Sequence, residues 1–460
     1  EVAHLAGRLH AAGIRSGDYV VLQLPNGIDF VTAFLALIAV GAVAVPLSAS
    51  TTEDEKSRYL AGHLVSFTLA DTPAQQQRGL DTPAADANHS RLTLDTLPEA
   101  GNWSPPPATE GPVLCLYSSG STGQPKRVEL RQRHLFYAQA HVADAIEIDR
   151  SDRVFCAVPL HHSFAIGNCL LLPLCNGATL IILEPRTGEG KTGEIPLVLR
   201  RREILQLLES TAATILPGIP LIFSLLADTR ATPSEKLSVR LCISAGSVLA
   251  RDVHDRFRQR FGIPVRQLYG STESNAVALN LAPDTSETWD SVGQPLPGCR
   301  IRIGGTDEGV AEGTVAIRSN ALCDGYAGQP ELSRQSFRDG WFFPGDLGSR
   351  DRHGNIRILG RRRPYIITAG YKVDPDEIEA VLMDHADVKE VAVAGVSHPT
   401  LGEMVTAHVV IKAHGREDGE QLAVYCRSRL AEHKVPKAFN FVPELPRTPM
   451  GKLSTHMLTR

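Results

Sequence analysis

At 460 residues the chain exceeds one small domain and falls in the range of two to four structural units with a large apolar core. Forty-seven basic against 51 acidic residues leave a formal charge of −4 with no block of five like charges, so nothing electrostatic calls for a nucleic acid or an anionic membrane as partner. With 43% hydrophobic and 21% charged residues the composition is that of a globular protein, which excludes a disordered or fibrous chain.

The chain opens inside an amphipathic helix, with Val2, Leu5 and Leu9 at helical spacing, so residues that precede Glu1 are expected. Phe30 to Leu47 is uncharged and just long enough to be weighed as a membrane span. The break at Gly41 and the strand-like "AVAVP" after it favour a buried helix capped by glycine and followed by a buried strand, so no membrane span is expected. Short β-branched runs such as Tyr19 to Leu24, Thr179 to Leu183 and Val239 to Ile243 alternate with helical stretches, the pattern of α/β units around mostly parallel sheets. From Gly293 to Gly360 short strands between Gly, Asp and Pro turns predict a small sheet or a β-barrel-like part. An α+β piece follows, with helices over Pro375 to Asp384 and Glu420 to His433 and strands over Val388 to Val396 and Met404 to Lys412. The fold class is therefore α/β, with a domain at residues 1–360, a smaller one at 361–460, and the boundary at Gly360 to Pro364. Asp71 to Ser90 and Pro105 to Pro107 read as surface loops.

The cysteines at 115, 156, 169, 175, 242, 299, 323 and 426 stand singly and mostly in apolar runs, without a CxxC pair. That fits reduced core residues in a reducing cytoplasm better than disulfides or a zinc site.

The strongest local signal is "LYSSGSTGQPKRV", Leu116 to Val128. Glycines let a backbone approach closely, Ser118, Ser119, Ser121 and Thr122 offer hydroxyls, and Lys126 adds a point charge, so the loop can surround phosphate. It does not fit the Walker pattern, and a plain Ser/Gly turn is the competing reading. Further along stand "PLHHSFAIG" at Pro159, "SAGSVL" at Ser244, "YGSTES" at Tyr269, "GWFFPGDLG" at Gly340, "GRRRPYIITAGYKVDPDEIE" at Gly360 and "LPRTPMGKLS" at Leu445.

With these motifs, in this order and over nearly its whole length, the chain resembles the adenylate-forming superfamily of acyl-CoA and aryl-CoA synthetases, peptide-synthetase adenylation domains and beetle luciferases. The resemblance implies ATP-dependent activation of a carboxylate to an acyl adenylate, followed by transfer to a thiol. It implies that Ser118, Ser119, Gly120, Ser121, Thr122, Gly123 and Lys126 hold phosphates, that Lys452 bridges carboxylate and α-phosphate, and that Thr272 contacts phosphate. Glu273 then serves Mg2+, a metal that takes one or two carboxylates plus phosphate oxygens. Tyr269, with Gly270 and Ser271 beside it, lies against adenine, which the backbone of Gly246 and Ser247 also borders. Asp346 and Arg361 reach the ribose, an ionised carboxylate being able to accept both hydroxyls. Arg363 takes the hinge position, and His162, Phe164 and Ala165 belong to the acyl pocket.

Each of these has a plainer reading. Lys452 and Arg361 are surface charges, Asp346 a turn residue, Gly246 and Ser247 a tight turn, and "GSTES" equally a helix N-cap. The chain also departs from the family pattern: Arg127 stands where most relatives have glycine, Arg363 where Asp or Lys is usual, and Thr455 where an arginine is frequent.

"HHSFAIG" is not an acyltransferase signature, because Ile166 replaces the aspartate, and Pro185 spoils a Walker loop around Lys191. His161 and His162 lack a third metal ligand at recognisable spacing. Amino-acid-activating relatives carry an aspartate in the segment equivalent to His162 to Gly167, and its absence disfavours an ammonium-bearing substrate. The apolar segments Ile215 to Phe223 and Asn275 to Leu279 favour fatty or other aliphatic acids. An aryl-acid or amino-acid-type enzyme that delivers to a carrier protein is the alternative, and a catalytically silent nucleotide-binding scaffold a more distant one. With eight residues after Lys452, the thiol acceptor, coenzyme A or an acyl carrier protein, is expected in trans.

Overall fold

The computed structural model describes residues 1–49, 51–60, 65–70, 90–101, 103–107, 110–118, 125–186, 195, 197–230, 237–304, 312–361 and 365–446. The chain divides into two compact units, one of Glu1–Ala49, Leu64–Leu116 and Arg127–Arg362, the other of Ser50–His63, Tyr117–Lys126 and Arg363–Arg460.

Two sheets with mostly parallel pairings carry the α/β part of the larger unit. The six-stranded one runs Ser90–Thr93, Val65–Ala70, Tyr19–Gln23, Val43–Pro46, Pro112–Ser118, Lys126–Arg131. Its inner strands are apolar on both faces, as expected where helices cover a parallel sheet: all four residues of Val43–Pro46 are buried. The helix Ile28–Val40 that precedes it stops at Gly41, whose φ of 81° lets its N–H return to the carbonyls of Leu37 and Ile38. Among the described residues no helix is long and apolar enough to cross a membrane.

The seven-stranded sheet runs Gln294–Pro295, Asn275–Leu279, Val265–Ser271, Leu241–Ser244, Ile215–Gly218, Arg153–Cys156, Thr179–Ile182. Its centre is parallel, and Val265–Ser271 and Asn275–Leu279 form an antiparallel hairpin at one side. Arg153–Cys156 is fastened to its neighbour through Asp152, whose carboxylate takes Arg240 Nη2 at 2.7 Å, Arg240 Nε at 2.9 Å and Thr214 Oγ1 at 2.7 Å. The predicted small sheet is present and antiparallel: Glu312–Ser319 pairs with Cys299–Ile303 and with Asp346–Arg350, which pairs with Ile356–Arg361.

The smaller unit is built on the long antiparallel pair Val388–His398 and Gly402–Ile411, with the helix Pro375–Met383 opened by Asp374, whose side chain accepts the N–H of Asp376. The predicted helix Glu420 to His433 is shorter than expected: Gly419–Arg427 ends, and a separate turn, Glu432–Lys434, follows. Leu422, Cys426 and Leu430 continue the i, i+4 spacing past the end, but the chain turns to bury Leu430 and Val435 in the core and to stack His433 on Tyr371 at 4.1 Å. Helix Glu53–Leu60 belongs to this unit, and its Glu55 and Tyr59 meet Lys434 in a buried cluster with Glu377. All eight cysteines are free, seven of them buried and Cys175 exposed.

Candidate functional site

The "YGSTES" segment is the hairpin turn between Val265–Ser271 and Asn275–Leu279, not a helix N-cap. Ser271 and Ser274 close it reciprocally, each backbone N–H donating to the other's hydroxyl at 3.2 Å. Only glycine fits at 270, because a Cβ there would stand 2.0 Å from the carbonyl oxygen of Asn275. Asn275 takes a left-handed φ of 56°, and its side-chain amide donates to the carbonyl of Ala321 at 2.9 Å. The turn therefore presents Thr272 and Glu273 from a backbone held on both sides.

The hydroxyl of Tyr269 donates to Asp346 Oδ2 at 2.5 Å, so the adenine and ribose candidates, 77 residues apart in sequence, touch. Asp346 opens the strand Asp346–Arg350 rather than sitting in a turn, and its backbone lies directly opposite that of Arg361. Ser163 Oγ is 3.5 Å from Thr272 Oγ1, which brings the "HHSFAIG" segment to the hairpin. That segment is a short helix Ser163–Ala165 continuing into the π-helix Ile166–Leu171, an arrangement frequent at functional sites. His162 is exposed and rests against His161 at 4.3 Å, Phe164 is partly buried, and Ala165 has no exposed surface. Gly246 turns with a φ of +87° beside Ile219, just past the strand Leu241–Ser244, and Ser247 follows it half-buried. The hydroxyl of Ser244 is buried without a partner among the described residues, the condition of a polar atom that a ligand or water would satisfy.

Glu273 is 7% exposed, and its Oε1 accepts the hydroxyl of Tyr326 at 3.0 Å. Burial first, and then the Glu273 carboxylate, raise that phenol well above its ordinary value, so it stays a donor. Burial, joined by Glu273, also pushes the Cys323 thiol up to about 12. Sequence reasoning missed Tyr326, which lies 53 residues from Glu273 with no spacing rule to connect them. Among the described residues no group of three or more His, Cys, Asp or Glu could hold a metal. At Glu273 the chain provides one carboxylate, which fits a nucleotide-bound Mg2+, a metal that would take its other oxygens from phosphate and water.

Lys126 opens the strand Lys126–Arg131, and the neighbouring departure, Arg127, is paired with Glu129 at 3.2 Å. The loop residues Ser119, Gly120, Ser121, Thr122 and Gly123, and also Arg363, Lys452 and Thr455, lie outside the described residues, as does the predicted loop Asp71 to Ser90 apart from Ser90 itself. Ser118 and Arg361 are placed in their strands by their backbones.

Residues 1–327 match the family described as AMP-binding enzyme, and residues 377–452 match the AMP-binding enzyme C-terminal domain. The chain is 33% identical to the sulfoacetate–CoA ligase of Cupriavidus necator over 96% of its length and 87% of that protein. It is 28% identical to the medium-chain fatty-acid–CoA ligase of Escherichia coli over 99% of its length and 83% of that protein. Among solved structures, an o-succinylbenzoate CoA synthetase from Bacillus subtilis bound to a product analogue superposes with a TM-score of 0.87 at 25% identity, covering 99% of this chain and 91% of that one.

Proposed function

The chain belongs to the AMP-binding enzyme family and is an ATP-using, AMP-forming acid:thiol ligase of the acyl-CoA synthetase type, and from that premise we propose that it activates a fatty or other aliphatic acid and passes the acyl group to coenzyme A. In such a reaction a carboxylate oxygen attacks the α-phosphorus of ATP and expels pyrophosphate. The thiol then attacks the acyl carbonyl, loses its proton, and AMP departs. A carboxylate is a poor acyl electrophile, and no protein nucleophile is needed once AMP is the leaving group. Positioning and charge stabilisation carry the catalysis.

The observation that supports the reading is the cluster built from distant motifs: Tyr269 bonded to Asp346, and Thr272 and Glu273 on one turn with Ser163 beside them. In the proposed assignment Tyr269, Gly270, Ser271, Gly246 and Ser247 border adenine, and Asp346 and Arg361 take the ribose hydroxyls. Thr272, Lys126 and the Ser118 to Gly123 loop serve the phosphates. Glu273 binds Mg2+, which when bound neutralises phosphate charge. Lys452 bridges carboxylate and α-phosphate, and residues 361–460 turn about Arg363 between the two half-reactions. The absence of a carboxylate from Ser163, Phe164, Ala165 and Ile166 leaves a substrate ammonium without a partner and argues against α-amino acids, and the apolar segments Ile215 to Phe223 and Asn275 to Leu279 favour an aliphatic acid. The eight unbridged cysteines support a reducing compartment.

The test is pyrophosphate release with Mg·ATP against a panel of fatty, aryl, dicarboxylic and amino acids, first without acceptor and then with coenzyme A. Turnover of an aliphatic acid, amplified by coenzyme A and lowered by orders of magnitude in Lys452→Ala, is expected. A response confined to aryl acids or to α-amino acids overturns the acid class, and one that coenzyme A leaves unchanged points to a carrier protein. Near-normal adenylation by Lys452→Ala removes that lysine's role.

A further inference from the structure

Tyr326 belongs to none of the motifs that carry the family resemblance, yet the structure holds it from four directions. Its ring meets Phe337 edge-on, with centroids 5.5 Å apart and planes at 74°. Its N–H donates to Ser333 Oγ at 2.9 Å, and that hydroxyl donates back to its carbonyl at 3.1 Å. Its backbone bridges Val128, and the N–H of Ala327 donates to the carbonyl of Arg127 at 2.9 Å, which joins this segment to the strand that leaves the Ser/Gly loop. Its hydroxyl reaches Glu273 Oε1 at 3.0 Å, with Tyr326 only 5% and Glu273 only 7% exposed. Three residues earlier, the N–H of Cys323 donates to the backbone carbonyl of Glu273 at 2.9 Å. One short segment thus grips Glu273 at both its backbone and its carboxylate.

A tyrosine placed only to fill space would need the ring and not the hydroxyl bond. A carboxylate that binds a metal must be aimed, and partners behind a ligand commonly do the aiming. We infer that Tyr326 is a positioning residue: its hydroxyl fixes the orientation in which Glu273 meets the divalent cation of Mg·ATP, and its backbone ties that orientation to the strand following the phosphate-loop motif. The inference rests on the proposed metal role of Glu273.

The test is equilibrium binding by calorimetry, with Mg·ATP and separately with ATP in EDTA, to the full-length wild type, Tyr326→Phe, Glu273→Gln and the double variant. Phenylalanine keeps the ring contact with Phe337. Tyr326→Phe should weaken Mg·ATP binding about tenfold, a typical effect of losing a partner behind a metal ligand, and leave ATP in EDTA within about twofold. The double variant should bind Mg·ATP no more weakly than Glu273→Gln alone. Unchanged Mg·ATP binding in Tyr326→Phe, with Glu273→Gln impaired, overturns the positioning role and leaves the metal role standing. Normal binding by Glu273→Gln overturns the metal role, and the inference with it. Equal losses with and without metal mean a structural role, which also overturns it. Should Tyr326→Phe not fold, Tyr326→4-aminophenylalanine keeps both the ring and a para donor: Mg·ATP binding close to wild type supports the role, and binding as weak as that of Glu273→Gln overturns it.

Discussion

Lys434→Met tests the least conspicuous charged group of the smaller unit. The ammonium lies 2.7 Å from Glu55 Oε1, 3.0 Å from Glu377 Oε1 and 2.8 Å from the hydroxyl of Tyr59, and these side chains are largely buried. Burial alone would lower the lysine's pKa, but Glu377, Tyr59 and Glu55 outweigh it and raise it well above the ordinary value, so the charge persists at any physiological pH. Both carboxylates reach one nitrogen, so their oxygens lie within about 6 Å; without the lysine they repel by about 3 kcal/mol at an effective dielectric near 20. The penalty has a ceiling, since an ordinary glutamate can take up a proton at pH 7 for about 3.7 kcal/mol and at pH 5 for about 1 kcal/mol. The expected cost of Lys434→Met is therefore about 3–4 kcal/mol at pH 7, in the range for breaking a buried pair, and distinctly less at pH 5. Trp103, Trp289 and Trp341, the chain's three tryptophans, all belong to the larger unit, so fluorescence does not report the loss. Hydrogen exchange read on peptides covering Glu53–Leu60 and Pro375–Met383 does, and should accelerate by about two to three orders of magnitude at pH 7. Adding Glu55→Gln should return part of the protection. Exchange within about threefold of wild type, or a cost as large at pH 5 as at pH 7, would refute the account.

Asp152 offers a test in the larger unit. Burial pulls its pKa upward, but the bonds from Arg240 and Thr214 and the N–H of Asp149 bring it down to about 2. A folded value below the unfolded one means stability present above about pH 4 and lost as pH falls through 2, so Asp152→Asn should cost about 2 kcal/mol at pH 7 and progressively less below pH 4. Tryptophan-monitored urea unfolding measures the difference, and a gap that does not narrow in acid contradicts the assignment. Thiol labelling provides the other check. Burial raises the thiols of Cys242, Cys323, Cys426 and also Cys175, but of the eight only Cys175 is exposed, so iodoacetamide at pH 8 should modify Cys175 first in the native protein, with Cys323 reacting only after unfolding; early labelling of Cys323 would be incompatible with its packing against Glu273.

Where a signal is local, a few neighbouring residues carry all of it. Gly41 after an apolar run, Pro375 at a helix start and the valine-rich run Val388 to Val396 each specify their own backbone within a short span, and the helices and strands stand close to where those signals place them. The helix after Gly419 shows the limit of periodicity, because Leu430 keeps the apolar spacing while the core draws the chain into a turn. The "GSTES" turn shows another: the same five residues suit a helix cap, and only pairing with Asn275–Leu279 makes them a hairpin.

Family and α/β class were legible in the residues before any contact was known, because motif order and short-range periodicity are properties of the chain alone. The contacts of Tyr326 with Glu273, of Tyr269 with Asp346 and of Lys434 with Glu55, the last 379 residues apart, were decided by tertiary structure. The physical reason is that a hydrogen bond acts over about 3 Å, while nothing in linear spacing encodes which distant groups the packed layers will bring within that reach.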